Sequence, residues 1–208
     1  MIELFYSPTP NGRKISIMLE ETKIKYKIKK IDLNKGEQFT PQFLKINPYG
    51  KIPVIIDHEK KLTLIESGAI LIYLAKKSNQ FLPKENETRV LEWLMFQMGN
   101  VGPMFGQHHH FHHYNPGKSE YAENRFLENS IRVYKVLDEV LSKNNYLAGA
   151  DYSIADIATF PWVARHNWHD IGLKNYKHLS RWYNTISKRL AVKKGYDCLN
   201  TGESIPEI

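Results

Sequence analysis

Two short stretches combine residue types that suit a binding site for a small anionic peptide. In Lys51-Ile52-Pro53-Val54, a proline lies between a loop and an apolar run. X-Pro bonds adopt the cis form at modest cost, and a cis bond at this junction would leave the backbone of Ile52 facing outward like a free strand edge. In Glu66-Ser67-Gly68, Ser67 suits the N-cap of an apolar helix, whose open N–H groups favour a carboxylate.

Each stretch also has a purely structural interpretation. An Ile-Pro-Val junction is most often a plain strand start, and a serine before an apolar helix is most often a plain cap. The functional interpretation therefore depends on how the remainder of the chain is organised.

The composition is that of a soluble globular protein. The 208 residues, 42% hydrophobic and 25% charged, allow one large or two modest domains. No apolar run reaches the length of a membrane span, and the first residues look like a strand without a basic leader, so we expect a cytoplasmic protein without a membrane partner. The single cysteine, Cys198, excludes an internal disulfide.

The net charge of +7 raises the question of a nucleic-acid partner. The densest basic run, residues 23–30, alternates lysine with apolar residues, which predicts a half-buried strand with a solvated lysine face. No nucleic-acid motif accompanies it. We expect no nucleic-acid partner and a weak preference for anionic ligands.

The first eighty residues predict the element order β-α-β-α-β-β-α. Parallel strands need helical crossovers and the last two strands can form a hairpin, so the predicted four-stranded sheet is mixed. The strands are placed at residues 2–6, 25–32, 51–57 and 62–65, with helices after the first turn, at residues 40–46 and after Ser67.

The second part of the chain predicts helices only. Residues 81–86 are polar and contain a proline, as in an interdomain linker, and residues 87–208 lack the alternation of strands. Ser153 followed by Asp156 is typical of a capping box before an apolar helix.

The element order, with a proline opening the third strand, resembles the thioredoxin fold, and the two stretches described above resemble the N-terminal domain of glutathione transferases. The turn Pro8-Thr9-Pro10-Asn11-Gly12 is similar to that of the Nu-class, glutathione-dependent disulfide-bond oxidoreductases of bacteria. The resemblance implies an α/β thioredoxin-like, glutathione-binding domain over residues 1–80, with Pro53 cis, and an all-α C-terminal domain over residues 87–208.

The resemblance assigns the sulfur end of the site to the first turn. The Thr9 hydroxyl, the Asn11 amide and the N-terminus of the first helix would stabilise the thiolate of bound glutathione. The alternative is that Thr9 and Asn11 only shape the turn and cap the helix, and Tyr6 is a second choice for the sulfur contact.

The resemblance also assigns the remaining contacts with glutathione. The backbone of Ile52, before Pro53, would pair with the cysteinyl part, and Glu66 with Ser67 would hold the γ-glutamyl end. Two further contacts are implied, from Gln38 to the glycyl end and from Arg125 across a dimer interface. The alternative for Gln38 is that it is an exposed loop residue, and the alternative for Arg125 is that it is an ordinary surface arginine.

The run His108–His113 contains histidine pairs at the i, i+4 spacing that can chelate a metal on a helix. No acidic or cysteine ligand lies beside it, so we expect no metal. The favoured interpretation is a lining or lid of a substrate pocket, and the alternative is a solvated surface.

The resemblance implies a homodimeric, glutathione-dependent disulfide-bond reductase with a small disulfide as substrate. The first turn contains no cysteine, so the chain cannot perform the CxxC exchange of thioredoxin and the thiol must arrive with the ligand. One alternative is a conventional transferase that conjugates glutathione to electrophiles. Another is a non-catalytic binding or regulatory module with the same fold.

Overall fold

A four-stranded mixed sheet organises the first part of the chain. The computed structural model describes every residue from Met1 to Ile208. Strand β1 pairs in parallel with β2 and antiparallel with β3, which pairs antiparallel with β4, giving the order β2-β1-β3-β4. The strands are β1 (Ile2–Tyr6), β2 (Tyr26–Lys30), β3 (Val54–Asp57) and β4 (Leu62–Leu64). This sheet confirms the predicted thioredoxin-like fold.

The burial of the strands follows their place in the sheet. Strand β1 lies between two neighbours and its residues Leu4, Phe5 and Tyr6 are buried. Strand β2 is an edge, and its Lys27 and Lys29 are exposed. Lysines on an edge strand discourage pairing with other chains, so the basic run is a structural feature of the sheet.

Four helices accompany the sheet, and two of them begin with the same dipeptide. Helices α1 and α2 each start at a proline that follows a threonine N-cap, Thr9 and Thr40. Proline suits the first position of a helix because its missing N–H would have no partner there. The four helices are α1 (Pro10–Thr22), α2 (Pro41–Leu44), α3 (Ser67–Ser78) and α10 (Leu190–Tyr196).

Helix α10 comes from the far end of the chain but packs on α1. A Cβ atom built on Gly195 would lie 2.5 Å from Ile17 Cα, so only glycine allows the two backbones to approach so closely. Ser16 Oγ donates to Gly195 O at 2.6 Å, and the Arg13 guanidinium stacks 3.7 Å above the Tyr196 ring while Nε donates to Tyr196 O.

The two compact units of the structure therefore differ from the predicted domains in the C-terminal part of the chain. One compact unit comprises Met1–Leu82 and Leu190–Ser204, and the other comprises Pro83–Arg189 and Ile205–Ile208. The sequence analysis assigns residues 87–208 to one helical domain, because nothing in the local periodicity shows that α10 packs on α1. The domain limits 1–80, 81–86 and 87–208 stay predictions.

We expect Gly195→Ala to destabilise the first unit by about 2 kcal/mol, because the added methyl group meets backbone atoms that cannot move aside. Urea unfolding would measure the loss, and limited proteolysis at Lys193 would report release of the segment. Gly99→Ala is the control, since its Cβ meets nothing within 4 Å. Equal stability of both variants would contradict the close packing of α10.

The second unit is helical, as predicted. Residues Gln97–Val101 and His109–Tyr114 are π-helical segments that flank α5. None of the helices combines the length and the apolar character needed to cross a membrane. The helices are α4 (Glu87–Phe96), α5 (Gly102–His108), α6 (Glu120–Lys143), α7 (Ile154–Val163), α8 (His166–His169) and α9 (Lys177–Ser187).

The fully buried carboxylate of Asp156 connects three parts of this unit. It accepts hydrogen bonds from Leu147 N at 3.0 Å, Ser153 N at 3.0 Å and Trp182 Nε1 at 2.8 Å. Burial raises the pKa of Asp156, while these hydrogen bonds lower it. The predicted capping box of Ser153 and Asp156 is confirmed.

Two histidines of the run His108–His113 belong to the core of the second unit. His108 and His109 are 0% and 5% exposed, whereas His110 is on the surface. His108 Nε2 lies 2.8 Å from His169 O, the His109 ring stacks on the His169 ring, and the Tyr134 hydroxyl lies 2.7 Å from His169 Nδ1. The expected pocket lining or solvated surface is therefore wrong for His108 and His109.

The sequence could not show this burial, because the i, i+4 spacing is the same for core and surface positions of a helix. No group of three or more His, Cys, Asp or Glu side chains is arranged to hold a metal ion.

We expect the second unit to lose stability as the pH falls from about 6.5 towards 3. Burial lowers the pKa of His109 to about 3 and also lowers the pKa of His108 and His169. Histidines of the unfolded chain titrate near 6.5, so the unfolded state binds more protons in this window and is favoured there.

Urea unfolding of the parent and of His109→Gln at several pH values would test this expectation. The variant should be less stable at pH 7, but its stability should depend less on pH. His110→Gln, at an exposed position, is the matched control. An unchanged pH dependence in the His109 variant would show that this ring does not carry the effect.

Candidate functional site

The turn before α1 places Thr9 at the start of a rigid helix. Thr9 Oγ1 accepts a hydrogen bond from Gly12 N at 3.2 Å, and its own hydroxyl hydrogen has no acceptor in the chain. A Cβ atom on Gly12 would lie 2.2 Å from Ser7 O, so the turn is closely packed. Asn11 occupies the second position of the helix and is half-buried. The cap and a hydrogen bond donated to a ligand are compatible roles for Thr9.

Tyr6, the second choice for the sulfur contact, is buried, and the Cys198 thiol is half-buried. Tyr6 is 1% exposed, and its hydroxyl and the Cys198 thiol are hydrogen-bonded neighbours. Burial raises the pKa of both groups. A thiol of raised pKa is a poor nucleophile at neutral pH. Tyr6 and Cys198 therefore belong to the packing of the first unit.

The loop before β3 presents a free stretch of backbone. The Ile52–Pro53 bond is cis, as the resemblance implies. Buried Asn47 shapes the loop, because its Nδ2 donates to Lys51 O at 2.7 Å and its Oδ1 accepts from Tyr49 N at 3.1 Å. The backbone N–H and C=O of Ile52 make no hydrogen bond within the chain. They are available to pair with an extended peptide.

Helix α3 begins at a strained residue. Glu66, its N-cap, has φ 66° and ψ 111°, a region that non-glycine residues rarely occupy, and its side chain makes no capping hydrogen bond. Glu66 is exposed whereas Ser67 is 6% exposed. Strain of this kind persists where the surrounding structure imposes it and is frequent at binding sites.

The sequence analysis missed a buried lysine in this region. Lys14, on α1, is 1% exposed, and its Nζ donates to Ser67 Oγ at 3.2 Å. Burial lowers the pKa of Lys14 well below its usual range, and the carboxylate of Glu66 opposes this shift. A lysine beside the charged residue Arg13 suggests an exposed helix face. The sequence gives no sign that Lys14 bonds to α3 and Arg13 to α10.

Gln38 lies near the same loop. It belongs to the 3₁₀ turn Glu37–Phe39, is half-buried, and its Oε1 atom is buried without a hydrogen-bond partner. A Cβ atom on Gly50 would lie 3.1 Å from Gln38 O, so the turn packs against the loop that leads to Ile52. A buried amide oxygen without a partner is unusual and suits a ligand that donates to it.

Seven of the eight predicted site residues lie in the first unit, and Arg125 lies in the second. Arg125 is exposed on α6, where its Nη1 lies 3.4 Å from the Tyr121 hydroxyl. The first unit thus combines a hydroxyl donor at the start of α1, a free backbone edge at Ile52 and a second helix start at Ser67. Such a set suits a short peptide with a thiol and a carboxylate.

The chain belongs to the glutathione S-transferase family. The family model of the N-terminal domain matches residues 2–76, and that of the C-terminal domain matches residues 98–189. The chain is 46% identical to the disulfide-bond oxidoreductase YfcG of Escherichia coli over 199 residues, which cover 92% of this chain and 93% of that protein. The resemblance stated from the sequence is confirmed.

Solved structures of the same family share the whole fold. A glutathione transferase from Burkholderia graminis, with two glutathione molecules bound per subunit, superposes with a TM-score of 0.91 at 39% identity, covering 97% of this chain and 89% of that one. A glutathione transferase from Pseudomonas putida, with one glutathione disulfide bound per subunit, gives a TM-score of 0.88 at 39% identity, covering 94% and 90%.

We expect Glu66→Gly to be more stable than Glu66→Ala by about 1 kcal/mol. Both variants remove the carboxylate, but only glycine adopts a positive φ without strain, and its greater freedom in the unfolded chain offsets part of the gain. Thermal and urea unfolding of the two variants would measure the difference. An alanine variant as stable as the glycine variant would show that the backbone at Glu66 is not strained.

Proposed function

We propose that this protein is a glutathione-dependent disulfide-bond reductase that works by thiol–disulfide exchange through bound glutathione. The observation that carries the proposal is the state of the only thiol in the chain. Cys198 is half-buried and hydrogen-bonded with Tyr6, and its pKa is raised, while the half-buried Thr9 hydroxyl and the backbone edge at Ile52 are not among its partners. The reacting sulfur therefore arrives with the ligand.

Glutathione matches the chemistry of the predicted site residues in the first unit. Its cysteinyl N–H and C=O pair with the backbone of Ile52 beside Pro53, as one strand pairs with another. Its γ-glutamyl carboxylate takes the hydroxyl and N–H of Ser67 at the start of α3, and its ammonium group takes the Glu66 carboxylate. The N–H of the glycyl residue donates to the buried Oε1 of Gln38, which lacks a partner within the chain.

Activation of the sulfur needs a lower thiol pKa, because the thiolate is the nucleophile. The Thr9 hydroxyl hydrogen has no acceptor in the chain and is donated to the sulfur, while Gly12 N holds the oxygen in place. The Asn11 amide and the positive end of the α1 dipole add to the stabilisation. All three favour the charged form and so lower the thiol pKa.

The exchange takes place in two balanced steps. The bound thiolate attacks one sulfur of a small disulfide, forms a mixed disulfide with glutathione and releases the other half as a thiolate. A second glutathione thiolate then attacks the glutathione sulfur of the mixed disulfide and releases the remaining half. Two glutathione molecules are oxidised to one glutathione disulfide, and the two released thiolates take up the protons that glutathione gave up.

The relatives support this sequence of steps. One homologous structure holds two glutathione molecules per subunit and another holds one glutathione disulfide, which correspond to the reactants and the oxidised product. We further propose that the protein is a cytoplasmic homodimer in which Arg125, exposed on α6, reaches glutathione in the other subunit.

We expect Thr9→Ala to reduce the turnover of 2-hydroxyethyl disulfide with glutathione by at least about tenfold, the value of a hydrogen bond to a charged group. Thr40→Ala is the matched control, because Thr40 also caps a helix that starts at a proline. Both variants lose about 1 kcal/mol of capping energy, but Thr40→Ala should retain full turnover. Thr9→Ser keeps the hydroxyl group and should therefore retain the turnover that Thr9→Ala loses.

The same preparations, assayed for conjugation of an aryl halide to glutathione, separate the candidate functions. A high ratio of disulfide reduction to conjugation in the parent is the expected result. Predominant conjugation would identify a conventional transferase, and glutathione binding without either activity would identify a binding module. Full turnover in Thr9→Ala would remove Thr9 from the mechanism.

A further inference from the structure

The dipeptide Asn11-Gly12 lies in the first turn of α1, and no other asparagine of the chain is followed by glycine. Asparagine is a thermolabile residue, because the next backbone nitrogen can attack the carbon of its side-chain amide. A glycine in the next position favours this attack, since it has no Cβ and its backbone turns freely. The candidate site thus contains the dipeptide of the chain that is most susceptible to deamidation.

Packing of the turn requires the glycine of this dipeptide. A Cβ atom on Gly12 would lie 2.2 Å from Ser7 O and 3.1 Å from the Tyr6 ring, and the backbone oxygen cannot move aside. Asn11 has its own task under the proposed function, the stabilisation of the glutathione thiolate. Neither residue can therefore be exchanged for a more durable one without a loss in packing or in chemistry.

The structure holds the dipeptide in a conformation that resists the attack. Asn11 is the second residue of α1, and ring closure requires its backbone to leave the helical conformation. Gly12 N donates to Thr9 Oγ1 at 3.2 Å, so the attacking nitrogen is held by the helix cap. The first turn of α1 has to open before deamidation can start.

We propose that Asn11-Gly12 is a latent modification site, that the Thr9 cap protects it, and that its deamidation inactivates the enzyme. The last part rests on the proposed function. In the reaction, Gly12 N attacks Asn11 Cγ and ammonia leaves, which gives a cyclic imide. Water then opens the imide to aspartate or isoaspartate, so water is the only co-reactant.

The two products change the first turn in different ways. Aspartate replaces an amide donor by a carboxylate, which suits the positive end of the α1 dipole but repels a thiolate and so raises the pKa of the glutathione thiol. Isoaspartate adds a methylene group to the main chain and disrupts the cap. The aspartate product should therefore keep the fold and lose activity, which separates a chemical effect from unfolding.

Peptide mapping by mass spectrometry during incubation at mildly alkaline pH would follow the deamidation of Asn11. A synthetic peptide of residues 6–16 is the unprotected reference. We expect the parent protein to react at least about tenfold more slowly than the peptide, because only the opened turn reacts. Thr9→Ala should react about fivefold faster than the parent, as the loss of one helix cap allows. Thr40→Ala, which removes the corresponding cap of α2, is the matched control and should react like the parent.

The effect on activity is measured with Asn11→Asp, which reproduces the aspartate product. This variant should be at least as stable as the parent in thermal unfolding, yet reduce 2-hydroxyethyl disulfide with glutathione about tenfold more slowly. Its pH–rate profile should shift to higher pH, because the pKa of the bound thiol rises. A merely structural role of Asn11 would not move that profile.

Deamidation of the parent at the rate of the peptide, or of Thr9→Ala at the rate of the parent, would overturn the protective role of the cap. Parental turnover in Asn11→Asp would overturn inactivation by deamidation. If the parent itself reduces no disulfide, the proposed function fails and inactivation fails with it, while the deamidation rates decide the protective role of Thr9 separately.

Discussion

The hydrogen bond between Lys14 Nζ and Ser67 Oγ connects the two helix starts on which the candidate site depends. Helix α1 begins with Thr9 and its capping hydroxyl, and α3 begins with the strained backbone of Glu66. A tripeptide that spans both ends needs them at a fixed separation, because a small displacement of a reacting group lowers the rate strongly. A buried polar contact fixes this separation more sharply than apolar packing, since it is costly to break in the interior.

The sequence was sufficient for the fold because each element carries its own local signal. The alternating lysines of β2 predict a half-buried strand, Pro53 marks the start of β3, and Ser153 with Asp156 predicts the capping box of α7. These signals depend on a few neighbouring residues and on general stereochemistry. The same is true of Thr9, whose position before a proline predicts the helix cap that the structure contains.

The features that could not be predicted all depend on distant parts of the chain. Lys14 and Arg13 are adjacent charged residues, a type that is mostly exposed in proteins, yet both are buried: Lys14 bonds to α3 and Arg13 to Tyr196 of α10. The φ of Glu66 and the burial of His108 likewise result from packing and leave no trace in spacing. Hydrophobic periodicity is thus least informative for the polar residues whose burial or backbone conformation matters most in this structure.

A site whose reacting sulfur comes from a bound ligand differs in its energetics from a site with a cysteine pair of its own. In a protein dithiol, the reduction potential is a property of the fold, which stabilises one redox form over the other. With Cys198 half-buried and hydrogen-bonded with Tyr6, the driving force under the proposed mechanism is that of the glutathione pool, and the protein controls only rate and selectivity. Selectivity must then come from the ends of the tripeptide, because the thiol itself is common to many small molecules. Under the proposed mechanism, Glu66 and Ser67 at the start of α3 meet this requirement, because a carboxylate suits the ammonium group of the γ-glutamyl end and a helix N-terminus suits its carboxylate.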